Sequence, residues 1–161
     1  GLSAAVAVRV SFFHGQRDFP ALRRASYSGC HITLVMIIVF VAGILLTRHQ
    51  MGWLFTDDPA VCALVAQVAI PLAVYQFGDG IQYVFANSLR GLSCVKPMMY
   101  IAFVAYFVIS LPLGYLFGIV MDYGLVGIWY AFPFGLSSAA ILYYIWFHKE
   151  LQKEEKAFIQ A

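Results

Sequence analysis

The sequence predicts an all-α integral membrane protein, a polytopic bundle of about five transmembrane helices. Three observations predict it. Of the 161 residues, 62% are hydrophobic, 17% aromatic and only 11% charged. Soluble domains carry about 25% charged residues and about half apolar ones, and no soluble core of this size hides so many large side chains. The mean hydropathy is +0.80. The apolar residues also fall in long uninterrupted runs. In a bilayer such runs are helices, because each segment must satisfy its own backbone polar groups. Barrel strands would be shorter and would alternate polar with apolar residues.

Five apolar segments follow in order. The first, from Gly1 to about Phe13, would be about 20 Å long as a helix, against about 30 Å of hydrocarbon. It opens without a cap and is read as the end of a spanning helix that begins before residue 1. The second runs from about Ala25 to Thr47 around ITLVMIIVFVAGILL, and the third from about Ala60 to Leu89. The fourth runs from Pro97 to about Val120, and the fifth from about Val126 to Phe147. The last four are long enough to span. The connections HGQRDFPALRR, RHQMGWLFTDDP, RGLSCVKP and MDYGLVG are short, and HKELQKEEKAFIQA closes the chain as a tail. No internal repeat and no low-complexity linker divides residues 1–161, so one domain is expected.

The basic residues are divided unequally between the two ends. Arg17, Arg23, Arg24, Arg90, Lys96, Lys149, Lys153 and Lys156 lie in the first and third connections and the tail. The second and fourth connections carry Arg48 beside Asp57, Asp58 and Asp122. The positive-inside rule places the basic side, and the C-terminus with it, in the cytoplasm. Trp53, Trp129 and Tyr123 near the outer ends, with Tyr144 and Trp146 near the inner end, read as interfacial anchors.

Several function classes are excluded. A nucleic-acid binder would need a basic stripe on a folded surface. No Ser/His, paired Asp or HExxH arrangement lies within a span, so no enzyme chemistry is expected. Cys30, Cys62 and Cys94 are odd in number and lack CxxC spacing, which suggests apolar packing rather than a disulfide or zinc. His14, His31, His49 and His148 are scattered near segment ends without metal-ligand spacing. The opening residues do not read as a signal peptide, since Arg9 interrupts the apolar run and no basic start precedes it.

Asp79 stands out, a carboxylate inside a long apolar segment. A charged Asp at mid-helix costs about 2.5–3.5 kcal/mol on insertion scales, so it needs a partner, a proton or water. Tyr75 and Tyr83 lie one turn to either side, Gln76 and Gln82 three residues to either side, and Asn87 two turns on. At helical spacing these share one flank, opposite Ala73, Val74, Phe77, Ile81 and Val84. A carboxylate among amides and phenol rings suits an organic cation, through neutralisation and the ring faces. It equally suits a small inorganic ion or a proton, or a polar contact with another helix. Gly78 and Gly80 flank Asp79, and Pro71, Pro112 and Pro133 sit one to a span. Interior prolines bend membrane helices, and Gly and Pro beside a midplane polar site fit a transporter that moves.

Three stretches resemble the multidrug and toxic compound extrusion (MATE) transporters. GLSAAVAVRVSFFHGQRDF is similar to the family's small-residue helix and cytoplasmic turn. YQFGDGIQYVFANSLRGL is similar to its F-x-x-D-x-x-Q…LRG element, and LPLGYLFG…YGLVGIWYAF to its LP-x-G…G-x-x-G-I-W segment. The resemblance covers essentially the whole chain. It implies two six-helix lobes in a twelve-helix transporter, of which this chain would be the second, C-terminal lobe, from a clipped helix eight to helix twelve. It implies export of organic cations and drugs in exchange for Na⁺ or H⁺, across a plasma or inner membrane, with the N-terminal lobe and the lipid bilayer as partners. By motif Asp79 would couple the cation, with Tyr75 as its companion and a possible Na⁺ held there. Gln76, Gln82, Tyr83 and Asn87 would line the substrate cavity. No cofactor is implied beyond the coupling ion. The family's acidic partner in helix seven would lie outside this chain. The turn after LRG departs from the family's G-D-x-K, reading Ser93-Cys94-Val95-Lys96 and lacking the acidic residue. A flippase for lipids or lipid-linked sugars shares the architecture, but its cavity would carry basic residues for phosphates. A non-transporting membrane scaffold is the reading from another class.

Overall fold

Four stretches are helical and apolar enough to cross a bilayer: Phe19–Leu54, Pro59–Gly91, Lys96–Val120 and Gly124–Ile159. A computed structural model describes residues 1–160 of the chain. The short apolar helix α1 (Leu2–Gly15) precedes α2 (Phe19–Met51), which ends in a 3₁₀ turn, Gly52–Leu54. Next comes α3 (Pro59–Gly91). The fourth span is composite. It begins as α4 (Lys96–Phe103), widens to a π-helical stretch (Val104–Ser110), returns as α5 (Leu111–Tyr115) and widens again over Leu116–Val120. The last helix, α6, runs from Gly124 to Ile159. There is no strand among the described residues.

The turn chemistry explains the boundaries. Asp18 accepts a hydrogen bond from the Ala21 amide (2.9 Å) and Asp58 one from the Ala60 amide (2.8 Å), so each caps the helix that follows. Pro20, Pro59 and Pro97 sit in first turns, where no amide is needed. The turns after α1 and α3 are built alike. Arg17 and Ser93 both have φ near 59°, and the next amides, of Asp18 and Cys94, reach back to Phe13 O and Leu89 O. That is the Schellman closure, here made without glycine.

The ends of the spans lie close to the sequence expectation, except that α2 opens at Phe19 rather than near Ala25 and α6 runs on past Phe147. The tail is helix. α6 continues through HKELQKEEKAFI because Leu151 is fully buried and charged pairs line the outer face, as Lys153 with Glu150 at 3.0 Å. Its last turns pack beside the turn between α1 and α2. His14 pairs with Glu154, Arg23 lies 3.5 Å from Glu155, Arg17 sits 5.6 Å over the Phe158 ring, and Phe158 packs on Phe19 at 6.0 Å. In the fourth span, Pro112 lies in the first turn of a short α-helix bracketed by two π-helical stretches. The missing proline amide is accommodated beside these wider turns.

The helix α3 is the axis of the assembly, in contact with α1, α2 and α6, while the fourth span packs on α6. Small residues set that last contact. A Cβ on Gly127 would lie 2.7 Å from the Phe117 carbonyl carbon, and Gly135 seats directly on the Ser110 hydroxyl. This is how membrane helices approach without a hydrophobic driving force between them. The buried apolar core, with Val10, Leu22, Val84, Leu89, Phe147 and Leu151, lies toward one end of the bundle, the end that α1 reaches. The same end gathers the basic residues of the two connections and the tail. Ser11 donates to the Gly91 carbonyl there at 3.1 Å, and Tyr143 to that of Met98 at 3.1 Å.

Replacing Gly127 by Leu should destabilise the protein by about 1–3 kcal/mol, because the new side chain meets backbone that cannot move aside. Leu at Gly43, where a Cβ meets nothing within 4 Å, should be neutral or slightly stabilising. Thermal unfolding in detergent compares the two.

Candidate functional site

Where α3 passes between α2 and α6, both contacts are made through glycine. A Cβ on Gly78 would lie 3.0 Å from the Ser137 amide nitrogen and 3.1 Å from the Leu136 carbonyl carbon of α6. A Cβ on Gly80 would collide with the Ile37 Cδ1 of α2 and lie 3.2 Å from Thr33 Cγ2. At about 100° per residue the two glycines point about 200° apart, one at each neighbour. Asp79 lies between them and projects into the gap between α2 and α6. The two glycines that flank Asp79 in the sequence are surfaces of close approach.

Tyr75, Gln76, Asp79 and Tyr83 form one strip along this open flank, one turn apart or less. Asp79, Tyr75 and Gln76 are half-buried and Tyr83 is exposed. The Asp79 carboxylate has no hydrogen bond and no ion pair among the described residues. Gln82 and Asn87 are placed differently. Both are buried, and both are engaged inside the bundle. Gln82 Nε2 donates to the Tyr106 hydroxyl of the fourth span at 2.9 Å, and its Oε1 has no partner. Asn87 Nδ2 donates to the Tyr83 carbonyl at 2.9 Å, along its own helix. Beside them Ser88 donates to Ser26 at 3.1 Å, both fully buried, which joins α3 to α2. The flank opposite Asp79 is divided too. Ala73 and Val84 are buried, whereas Val74 is 53% exposed and Phe77 36%.

Two neighbours of the site escape sequence reasoning. The Trp129 ring lies 6.3 Å from that of Tyr75, so this tryptophan props the strip as well as marking an outer helix end. Tyr106 fixes Gln82. The G-I-W motif was the available signal for the first, but nothing in the sequence pairs residues 82 and 106. Separate clefts lie on either side of the contact between the fourth span and α6. One of about 440 Å³ is lined by Gln67, Phe117, Tyr123, Tyr130 and Phe134. The other, of about 470 Å³, is lined by Tyr106, Ser110 and Tyr115 among others.

The strip carries one carboxylate, Asp79, with the Gln76 amide and the Tyr75 and Tyr83 phenols spread along the same flank. A carboxylate suits a small cation or a proton, and phenol rings suit an organic cation. Among the described residues no group of three or more His, Cys, Asp or Glu side chains is placed to hold a metal ion.

The comparisons with known proteins agree with this architecture. The sequence matches the MatE family model over residues 1–116. The structure is similar to that of the eukaryotic MATE transporter AtDTX14, with a TM-score of 0.84 at 23% identity, over 97% of this chain and 36% of that one. It is similar to the inward-facing conformation of a multidrug resistance MATE family transporter of the MOP superfamily, with a TM-score of 0.87 at 20% identity, over 96% of this chain and 36% of that one. A MOP superfamily transporter from Pyrococcus furiosus aligns with a TM-score of 0.85 at 18% identity, over 93% of this chain and 34% of that one. The chain thus spans about a third of the length of these structures. With a family match over most of its length and that family's helical fold, the chain belongs to the MatE family of membrane transporters.

Proposed function

We propose that this chain is the C-terminal lobe, helices eight to twelve, of a cation-coupled antiporter that exports organic cations and drugs, with Asp79 as its coupling carboxylate. One observation carries the reading. Asp79 is held at mid-span by two glycine contacts, on a strip of phenol and amide groups, without a partner for its charge among the described residues. A lone ionised Asp there costs about 2.5–3.5 kcal/mol, and a cation from outside the chain offsets that cost.

On this reading Na⁺ or a proton at Asp79 neutralises the strip and weakens its hold on a cationic substrate. Loss of the ion restores the negative charge and the affinity. Tyr75, set against Trp129, orients one edge of the site, and Gln76 and Tyr83 face the substrate. Gln82 and Asn87 act from inside the bundle, by fixing the fourth span and the backbone beside Tyr83. An N-terminal lobe and helix seven would close the open flank, and rocking of the lobes would alternate its access. The protein then lies in a plasma or inner membrane with its basic end in the cytoplasm, and it performs transport rather than catalysis.

Expressed within the complete transporter, Asp79→Asn should abolish gradient-driven dye efflux at equal membrane abundance. Imposing Na⁺ and pH gradients separately names the ion. The thermal midpoint of this variant should be unchanged or raised, because no partner is lost and a half-buried charge is removed. Efflux equal to wild type would sink the assignment. For topology, a reporter that matures only in the cytoplasm should be active when fused after residue 160, and one that works only outside should be silent.

A further inference from the structure

The end of the bundle that carries the basic residues holds a groove of about 460 Å³ that the transport site does not use. It is lined by Arg23, Arg24, Tyr27, Ser28 and His31 of α2, with Glu155 of α6 along one edge. Arg24 forms no ion pair among the described residues, and Arg23 has only the long 3.5 Å contact with Glu155. Asp18, the nearest other carboxylate in sequence, is occupied in capping α2. The Tyr27 hydroxyl lies 2.7 Å from His148 Nε2 and is already engaged. His31 donates from Nδ1 to the Tyr27 carbonyl at 2.8 Å, leaving Nε2 free. The donors open to an anionic ligand are two guanidinium ions and the Ser28 hydroxyl.

The surface that continues from this groove is apolar. Arg24, Ser28, His31, Val35 and Val39 follow at spacings of four, three, four and four, so they share one face of α2. Val35 is 61% exposed and Val39 67%, and Ile32 and Met36 beside them are exposed too. With 33 residues, α2 is about 50 Å long against about 30 Å of hydrocarbon. Its valine stretch therefore lies among acyl chains, while its arginine turn stands at headgroup depth.

We infer that this groove binds the phosphate of an anionic phospholipid, whose acyl chains run along the Val35–Val39 face of α2. Guanidinium groups match a phosphate in charge and in two-point hydrogen-bonding geometry. The adjoining apolar face selects a phosphate that carries tails over a free one. Glu155 disfavours anions at the α6 edge, which turns the headgroup toward Arg24.

The test uses the complete transporter, purified and delipidated in detergent. Its thermal midpoint is followed on titration with short-chain phosphatidylglycerol, with phosphatidylcholine of the same tails, and with inorganic phosphate. Phosphatidylglycerol should raise the midpoint, phosphatidylcholine should do so only at much higher concentration, and inorganic phosphate should not. Arg23→Gln with Arg24→Gln should weaken the phosphatidylglycerol response by about fivefold for each charge removed. Arg24→Lys should retain part of it, and Arg48→Gln at the other end all of it. If the double variant does not fold, Ser28→Trp keeps both arginines, fills the groove from an exposed position and should weaken the response likewise. Equal responses to the two lipids, a full response in the double variant or in Ser28→Trp, or the same shift with inorganic phosphate would each overturn the assignment.

Discussion

The close approach of α3 to α2 and α6 through Gly78 and Gly80 is the contact on which the candidate site depends. A side chain at Gly78 would press on α6 backbone, and one at Gly80 would have to displace the end of the Ile37 side chain of α2. With both neighbours this near, Asp79 has one direction left to it, into the gap between them. The carboxylate is aimed by what flanks it in the chain rather than by a bond of its own. Among the described residues no hydrogen bond or ion pair competes for its charge.

The same economy of side chains recurs where the fourth span meets α6. Gly127 and Gly135 let the helices touch through backbone and a serine hydroxyl. The π-helical stretches to either side of α5 lie in this span, and such stretches often mark functional segments of membrane helices. The Gln82–Tyr106 hydrogen bond ties this span to the helix that bears Asp79. Wider turns in the span and the carboxylate helix are therefore joined by one half-buried polar contact.

At the basic end the bundle is held differently. There α1, the first turns of α2, the end of α3 and the last turns of α6 meet over the apolar core, rimmed by ion pairs and the Arg17–Phe158 contact. Exposed ion pairs contribute little each, so the buried Leu151 and the Phe19–Phe158 contact do more to hold the end of α6 in place. This leaves most of the arginine charge beside α2 facing outward.

Hydropathy and charge distribution determined much of this protein. Uninterrupted apolar runs can only be helices in a bilayer, and their lengths set the spans to within a few residues, except where the amphipathic tail continues α6 and the arginine turn opens α2 early. The FGDGIQ stretch located the carboxylate, because an ionisable group in an apolar run is conspicuous whatever surrounds it. Helical periodicity also placed Tyr75, Gln76 and Tyr83 beside Asp79, since it depends only on local geometry. Periodicity on one helix cannot say which flank a neighbour covers, and that only the tertiary structure decided. Packing against other helices buried Gln82 and Asn87, set Trp129 on Tyr75 and Tyr106 on Gln82, and gave Gly78 and Gly80 the role of contact surfaces. Each is a contact between residues on different helices or adjacent turns, fixed by how closely three helices approach, and no spacing within a single segment encodes that distance.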